Sequence, residues 1–143
     1  MTQLGALDGA ANTPAPDFVE IKLPADGAFL SVLRTATAAL AARLNFTIDE
    51  IEDLRIAVDE ACALVLVKAV PEGELLCRFV IDPATMTVSV TAPTRDGSPP
   101  ARDTFAWTVL TALAGDVDAS VSPDQHLTIR MRKERTTVGG ASA

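Results

Sequence analysis

From Thr47 to Pro71 the chain carries one long, unbroken helical signal, and the rest of the fold has to accommodate it. Thr47 stands three residues before Glu50. That is the spacing of a capping box, in which a hydroxyl and a carboxylate each satisfy a backbone N–H of the first turn. The helix runs to about Ala69, where Pro71-Glu72-Gly73 closes it. Asp49, Glu50, Glu52 and Asp53 crowd its start, where acidic side chains favour the positive end of the helix dipole.

Shorter signals flank it. Phe18 to Leu23 alternates apolar and polar residues, a first strand ended by Pro24. Asp26 caps a helix predicted over Ala28 to Leu44, with Phe29, Val32, Leu33, Ala36, Leu40 and Leu44 at helical spacing, and Asn45-Phe46 breaks it. After the long helix come strands at Leu75–Ile81 and Thr87–Thr91, joined by a turn at Asp82-Pro83-Ala84-Thr85. The segment Pro93–Arg102, with three prolines, is a loop. Asp103 or Thr104 caps a third helix, Phe105–Ala114, ended by Gly115. In it Phe105, Trp107, Val109 and Leu113 read as a core stripe. A hairpin of Val117–Val121 and Leu127–Met131 completes the series.

The order β-α-α-β-β-α-β-β predicts an α+β two-layer sandwich, with helices on one face of a mixed sheet. Residues 1–16, rich in Ala, Gly, Thr and Pro, read as a flexible arm, residues 17–133 as the domain and residues 134–143 as a flexible tail. Arg132, Lys133 and Arg135 fall at the solvated start of that tail.

Composition narrows the function classes. The chain has 12 basic and 19 acidic residues and a net charge of −7. Phosphate neutralisation dominates nucleic-acid affinity, so direct DNA or RNA binding is not expected, nor is adhesion to an anionic membrane. No apolar run approaches the roughly 20 residues of a membrane span, and the first residues do not form a secretion signal, which predicts a cytoplasmic protein. His126 is the only histidine, and Cys62 and Cys77 lack CxxC spacing, so no metal site is expected. The two cysteines read as small buried hydrophobes with free thiols.

Within the long helix, Asp59 falls one turn from Arg55 as an i,i+4 pair. Glu60 has Ile56, Ala57, Ala63 and Leu64 as its i±3 and i±4 neighbours and so projects from an apolar stripe. A carboxylate there either reaches a polar cleft or snorkels at the stripe's margin.

Two segments carry a family resemblance. Leu54-Arg55-Ile56-Ala57-Val58-Asp59-Glu60-Ala61-Cys62 is similar to the N-box helix of the GHKL ATPase superfamily, in its small anti-sigma-factor branch of RsbW and SpoIIAB type. Thr104-Phe105-Ala106-Trp107-Thr108-Val109-Leu110-Thr111-Ala112-Leu113, followed by Gly115-Asp116-Val117-Asp118, resembles the late helix and strand start of that branch, close to actinobacterial-type sigma-F anti-sigma factors. The resemblance spans residues 18–133 and implies a Bergerat (GHKL-like) fold.

In active kinases of this family the N-box glutamate, matched by Glu60, is the general base toward the substrate hydroxyl. The N-box asparagine four residues later binds Mg²⁺, and here that position is Leu64, which has no oxygen for a hard cation. The Asp of the adenine-binding Asp-x-Gly-x-Gly falls near Ala92. The nearest replacement, Asp96-Gly97, lies several residues out of register. Thr104, Ala106 and Trp107 stand where the family has glycine and small residues next to phosphate.

The resemblance therefore implies a binding scaffold with a decayed nucleotide site. Such a chain sequesters an alternative sigma factor of stress or sporulation type, acts as a homodimer, and is released by a STAS-type anti-anti-sigma factor. Arg34, Thr35 and Arg43 on the early helix are candidates to face the partner, and no cofactor is expected. The alternative is an active serine/threonine protein kinase that binds ATP and Mg²⁺, with Glu60 as base and Asp96 and Gly97 at the nucleotide.

Overall fold

The structure, a computed structural model, describes residues 16–136. The expected arm lies outside this range except for Pro16, as does the expected tail from residue 137 onward.

Strand β1 (Asp17–Pro24) leads through a 3-10 turn at Gly27–Phe29 into α1 (Leu30–Arg43), and α2 (Ile48–Lys68) follows at once. Strands β2 (Glu74–Asp82) and β3 (Thr85–Pro93) form a hairpin across Pro83-Ala84. Helix α3 (Phe105–Ala114) then precedes β4 (Asp116–Val121) and β5 (His126–Glu134). The sheet order is β1-β2-β3-β5-β4 and every neighbouring pair is antiparallel.

The two layers are those the element order predicts, but the sheet is antiparallel throughout, not mixed. The chain makes one direction-preserving move, and it does not put parallel strands side by side. The pair α1–α2 is itself a there-and-back hairpin, so β2 returns against β1. The single crossover through α3 does make β4 parallel to β3, but β5 folds back into the gap between them.

Local chemistry sets the helix ends. Asp26 accepts from the Ala28 N–H at 3.0 Å and tightens the first turn into the 3-10 segment, so α1 begins at Leu30. At its other end Asn45 takes φ 61°, Phe46 N donates to Ala41 O at 3.2 Å and Asn45 N to Ala42 O at 3.0 Å. This is a Schellman closure with asparagine in the left-handed position that glycine usually fills. The capping box of α2 is present in full: Thr47 Oγ1 accepts from Glu50 N at 3.1 Å and Glu50 Oε1 from Thr47 N at 2.8 Å.

The core lies between the helices and the inward faces of β2, β3 and β5. Leu54, Val58 and Val65 join Phe79, Val88 and Ile129 in one cluster, all fully buried. Alternation along each strand sends the other residues to an open polar face. One row across that face reads Glu20, Arg78, Ser89, Arg130, Asp118.

Two apolar stripes differ from the expected ones. In α1 the buried line is Leu33, Thr37 and Ala41, while Phe29 and Val32 stay 41% and 45% exposed. Thr37 tolerates burial because its hydroxyl donates to Leu33 O at 2.7 Å. In α3 the buried line is Trp107, Leu110 and Ala114; Val109 and Leu113 are half-buried, and Phe105, on the far side of the helix, is 82% exposed.

Strand β5 runs to Glu134, past the expected domain end, and the first residues of the expected tail are anchored. Arg135 N donates to Ala84 O at 2.7 Å and its guanidinium to Leu44 O at 3.3 Å. Thr136 donates through N at 2.8 Å and through its hydroxyl to Glu50 Oε2. Glu50 thus does more than favour a helix start: it joins α2 to the segment after β5 and is only 8% exposed. Burial pushes its pKa up, but hydrogen bonds from Thr136 and Thr47 together outweigh that and leave it below the ordinary value.

Candidate functional site

Helix α2 occupies the middle of the helical layer, with α1 packed on one side and α3 on the other. Its outward stripe, at 100° per residue, carries Ile56, Glu60, Ala63 and Val67. Ile56 is 44% and Val67 75% exposed, and Glu60 is half-buried between them. Glu60 therefore stands on the outer rim of the layer. Leu64, on the same side of the helix, is half-buried and packs against the core.

Asp96 and Gly97 lie beside the last turn of α2. Arg95 N donates to Lys68 O at 3.1 Å, and Lys68 Nζ to Ser98 Oγ at 2.9 Å. Glu60 is eight residues back along the helix, about 12 Å at 1.5 Å per residue. The Asp96 carboxylate is turned onto its own loop, accepting from Ser98 N at 3.0 Å and Ser98 Oγ at 2.8 Å. Those bonds, with Lys68 adding, hold its pKa below the usual carboxylate value. Gly97 has φ +67° and a Cβ there would come within 3.1 Å of Gln125. The glycine is needed for the turn itself.

The loop between β3 and α3 is fastened at both ends. Thr94 is buried; its N–H and hydroxyl both donate to Gln125 O, at 2.9 and 2.8 Å, and its hydroxyl accepts from Gly97 N at 3.0 Å. Further along, Arg102 reaches Asp118 at 3.3 Å and Ala119 O at 3.2 Å and lies 4.9 Å over the Trp107 ring. Thr104 caps α3 by accepting from Trp107 N at 3.2 Å. These contacts draw the loop onto the ends of α2 and β4.

A Mg²⁺ bridging nucleotide phosphates takes oxygen ligands in near-octahedral geometry. The position one turn after Glu60 offers only the hydrocarbon of Leu64. Among the described residues no group of three or more His, Cys, Asp or Glu side chains is placed to hold a metal ion. The residues present do not fit Mg²⁺ and a nucleotide at the place the resemblance assigns them.

The candidate partner residues divide. Arg34 does not stand free: its Nη1 lies 3.1 Å from both carboxylate oxygens of Asp59, pairing α1 to α2. The expected Arg55–Asp59 pair does not form; Arg55 turns instead to Glu52. The long reach of Arg34 across the helix pair captures Asp59, which no local spacing rule would show. Thr35, exposed beside it, lines a shallow groove with Ser31, Val32, Ala36 and Ala39. Arg43 is nine residues from Arg34, half a turn round the helix, and borders a separate cleft with Asp17, Leu44, Ile81 and Pro83. Thr35 and Arg43 thus line different clefts, and Arg34 faces Asp59 on α2.

Comparison with known proteins places these features. No family model matches the chain. Over 103 residues, 69% of its length, it is 37% identical to the anti-sigma-F factor RsbW of Mycobacterium tuberculosis, of which the match covers 59%. Over 66 residues, 44% of its length, it is 41% identical to the serine-protein kinase RsbW of Bacillus subtilis, of which the match covers 41%. The matched part thus spans about half the length of these relatives. The fold is that of a crystal structure of the RsbU and RsbW domains of a Mycobacterium tuberculosis protein, with a TM-score of 0.64 at 14% identity over 83% of this chain and 32% of that one.

Proposed function

We propose that this chain, a relative of the RsbW proteins, is an anti-sigma factor working by partner switching. It sequesters an alternative sigma factor of stress or sporulation type in the cytoplasm and gives it up when a STAS-type anti-anti-sigma factor competes for the same molecule. The observation that carries this reading is the similarity over 103 residues to a protein named an anti-sigma-F factor. No helix among the described residues is long and apolar enough to cross a membrane, in keeping with a cytoplasmic role.

Binding here is a matter of surface, not of phosphoryl chemistry. Phosphoryl transfer depends on metal and donor groups that neutralise the transferred phosphate. Leu64 in place of a metal-binding amide withdraws one of those groups, and Asp96, the candidate acceptor for adenine, is engaged with Ser98. Arg34, Thr35 and Arg43 on α1 are the sigma-facing candidates in this reading, and the chain acts as a homodimer.

A second reading is favoured by the Bacillus subtilis relative, named a serine-protein kinase. In it Glu60, at the outer rim of α2, is the base, and ATP with Mg²⁺ is bound. Calorimetry with Mg–ATP separates the two: micromolar, Mg²⁺-dependent binding refutes the decayed site, and no heat of binding supports it. Affinity capture of the tagged protein from its host, with mass spectrometry of the eluate, tests the anti-sigma role itself. A sigma factor near one-to-one with a dimer or monomer supports it. Its absence from the eluate while it is expressed refutes it.

A further inference from the structure

Helix α1 leaves an apolar face uncovered. Val32, Ala36 and Ala39 follow one another at i, i+4 and i+7, and with Ser31 and Thr35 they line the shallow groove along the helix. Val32 is 45% exposed, and Phe29, three residues before it, is 41% exposed. No charged side chain lines the groove. Apolar groups left open together in this way mark a surface that another segment covers.

The start of β1 says which segment can reach it. Arg43 continues the line of Val32, Ala36 and Ala39 at i+11, and it borders a cleft that Asp17, the first residue of β1, also lines. Residues 1–15 join the fold through Pro16, immediately before Asp17, and so at the Arg43 end of this helix face. From the level of Arg43 the groove lies about 6 Å away at Ala39 and about 18 Å away at Ser31, at 1.5 Å per residue. Leu7 stands ten residues before Asp17, a length of chain that spans up to about 33 Å. Residues 1–15 therefore reach every part of the groove. Their chemistry suits it as well. Their large apolar side chains, Met1, Leu4 and Leu7, recur at every third position. Asp8 is their only charged side chain, while α1 carries Arg34 and Arg43 and no carboxylate in a chain of net charge −7. With Leu7 over Ala39, Asp8 falls toward Arg43, which makes no ion pair among the described residues.

We propose that residues 1–15 fold back along α1 of their own chain and seat Leu7 and Leu4 in the groove between Arg43 and Val32, covering Thr35. The contact is a built-in competitor: a partner that uses this face of α1 binds only after the segment has left it, so seating the segment lowers the partner's apparent affinity by the fraction of molecules left open. What the segment competes with rests on the sigma-facing reading above; where it sits does not.

The test uses the full chain with a nitroxide attached at Gly5→Cys, the cysteines Cys62 and Cys77 being buried. In NMR spectra of this chain the oxidised nitroxide is expected to erase the amide signals of Val32, Thr35 and Ala39 and to spare those of β4, at the far edge of the sheet; reduction with ascorbate restores the lost signals. Adding Leu4→Ser and Leu7→Ser is expected to restore them with the nitroxide still oxidised, and far-UV circular dichroism confirms that this variant folds. Signal loss centred elsewhere, no signal loss, or loss on α1 that survives both serines overturns the proposal. So does the same loss in an isotope-labelled chain without nitroxide mixed with a nitroxide-bearing one, which puts a second copy's segment in the groove. In calorimetry against the sigma factor recovered from its host, the chain with both serines is expected to bind about tenfold more tightly, the factor for a segment seated in about nine molecules of ten. Equal affinity, with the segment seated by NMR, supports the contact and refutes the competition, and it removes this face of α1 from the sigma-facing surface.

Discussion

Replacing Glu50 tests whether the segment after β5 belongs to the fold. Its carboxylate accepts from Thr47 N at 2.8 Å, from Thr136 N at 2.8 Å and from the Thr136 hydroxyl, and it is 8% exposed. At about 1 kcal/mol net per hydrogen bond, and with a few tenths returned by the better helix propensity of alanine, Glu50→Ala is expected to cost about 2–3 kcal/mol. For a domain of this size that is a fall in Tm of about 6–12 °C. Urea unfolding followed by far-UV circular dichroism at pH 7 measures it directly. The pH dependence adds an independent check. Because the folded pKa of Glu50 lies below its ordinary value of 4.5, the unfolded state takes up the proton first. Its contribution is therefore present above the ordinary value and is lost as pH falls through the lowered one. The unaltered chain should lose more stability than Glu50→Gln as pH falls below about 4.5. An alanine variant within about 0.5 kcal/mol of the unaltered chain, or an identical acid limb in the glutamine variant, refutes the reasoning.

Three further outcomes are expected. The Cys62 thiol is pushed up to about 12 by burial, with Asp59 adding and Arg34 opposing, and burial raises Cys77 further. Ellman's reagent at pH 8 should modify neither thiol in the folded chain and both after unfolding in urea; fast reaction of either in the native state contradicts this. Gly115 closes α3 with φ 86° and ψ −85°, a conformation strained for any side chain, although a Cβ there has room at 3.7 Å from Arg132 O. Gly115→Ala should cost about 1–3 kcal/mol in urea unfolding, all of it from the backbone. Arg34→Ala breaks a partly exposed ion pair, with side chains 39% and 35% exposed. It should lower stability by less than about 1 kcal/mol while weakening sigma-factor capture, so equal capture by the variant removes Arg34 from the binding surface.

What the sequence carried best was punctuation. The Thr47–Glu50 capping box, the Pro83-Ala84 hairpin and the Gly115 stop are local, and each element stands within a few residues of its expected place. The faces of α1 and α3 were harder to read. Periodicity alone does not say which of two adjacent apolar lines turns inward, and Thr37 can sit inside because its hydroxyl bonds back to Leu33 O. Pairings across elements were not legible at all. Arg34 finds Asp59 over 25 residues of chain and Thr136 finds Glu50 over 86, distances at which spacing rules are silent. The insertion of β5 between β3 and β4, which makes the sheet antiparallel, was not legible either. At the candidate site the sequence located Leu64 and the displaced Asp96-Gly97. The fastening of the loop by Lys68, Gln125 and Arg102 emerged only once the chain was folded.

The central claim is that this chain holds a sigma factor by protein contact alone. Calorimetric titration of the sigma factor recovered from its host, with and without Mg–ATP, tests it most directly. The account predicts saturable binding with the same affinity in both conditions. No binding in either condition, or binding that appears only with the nucleotide, contradicts it.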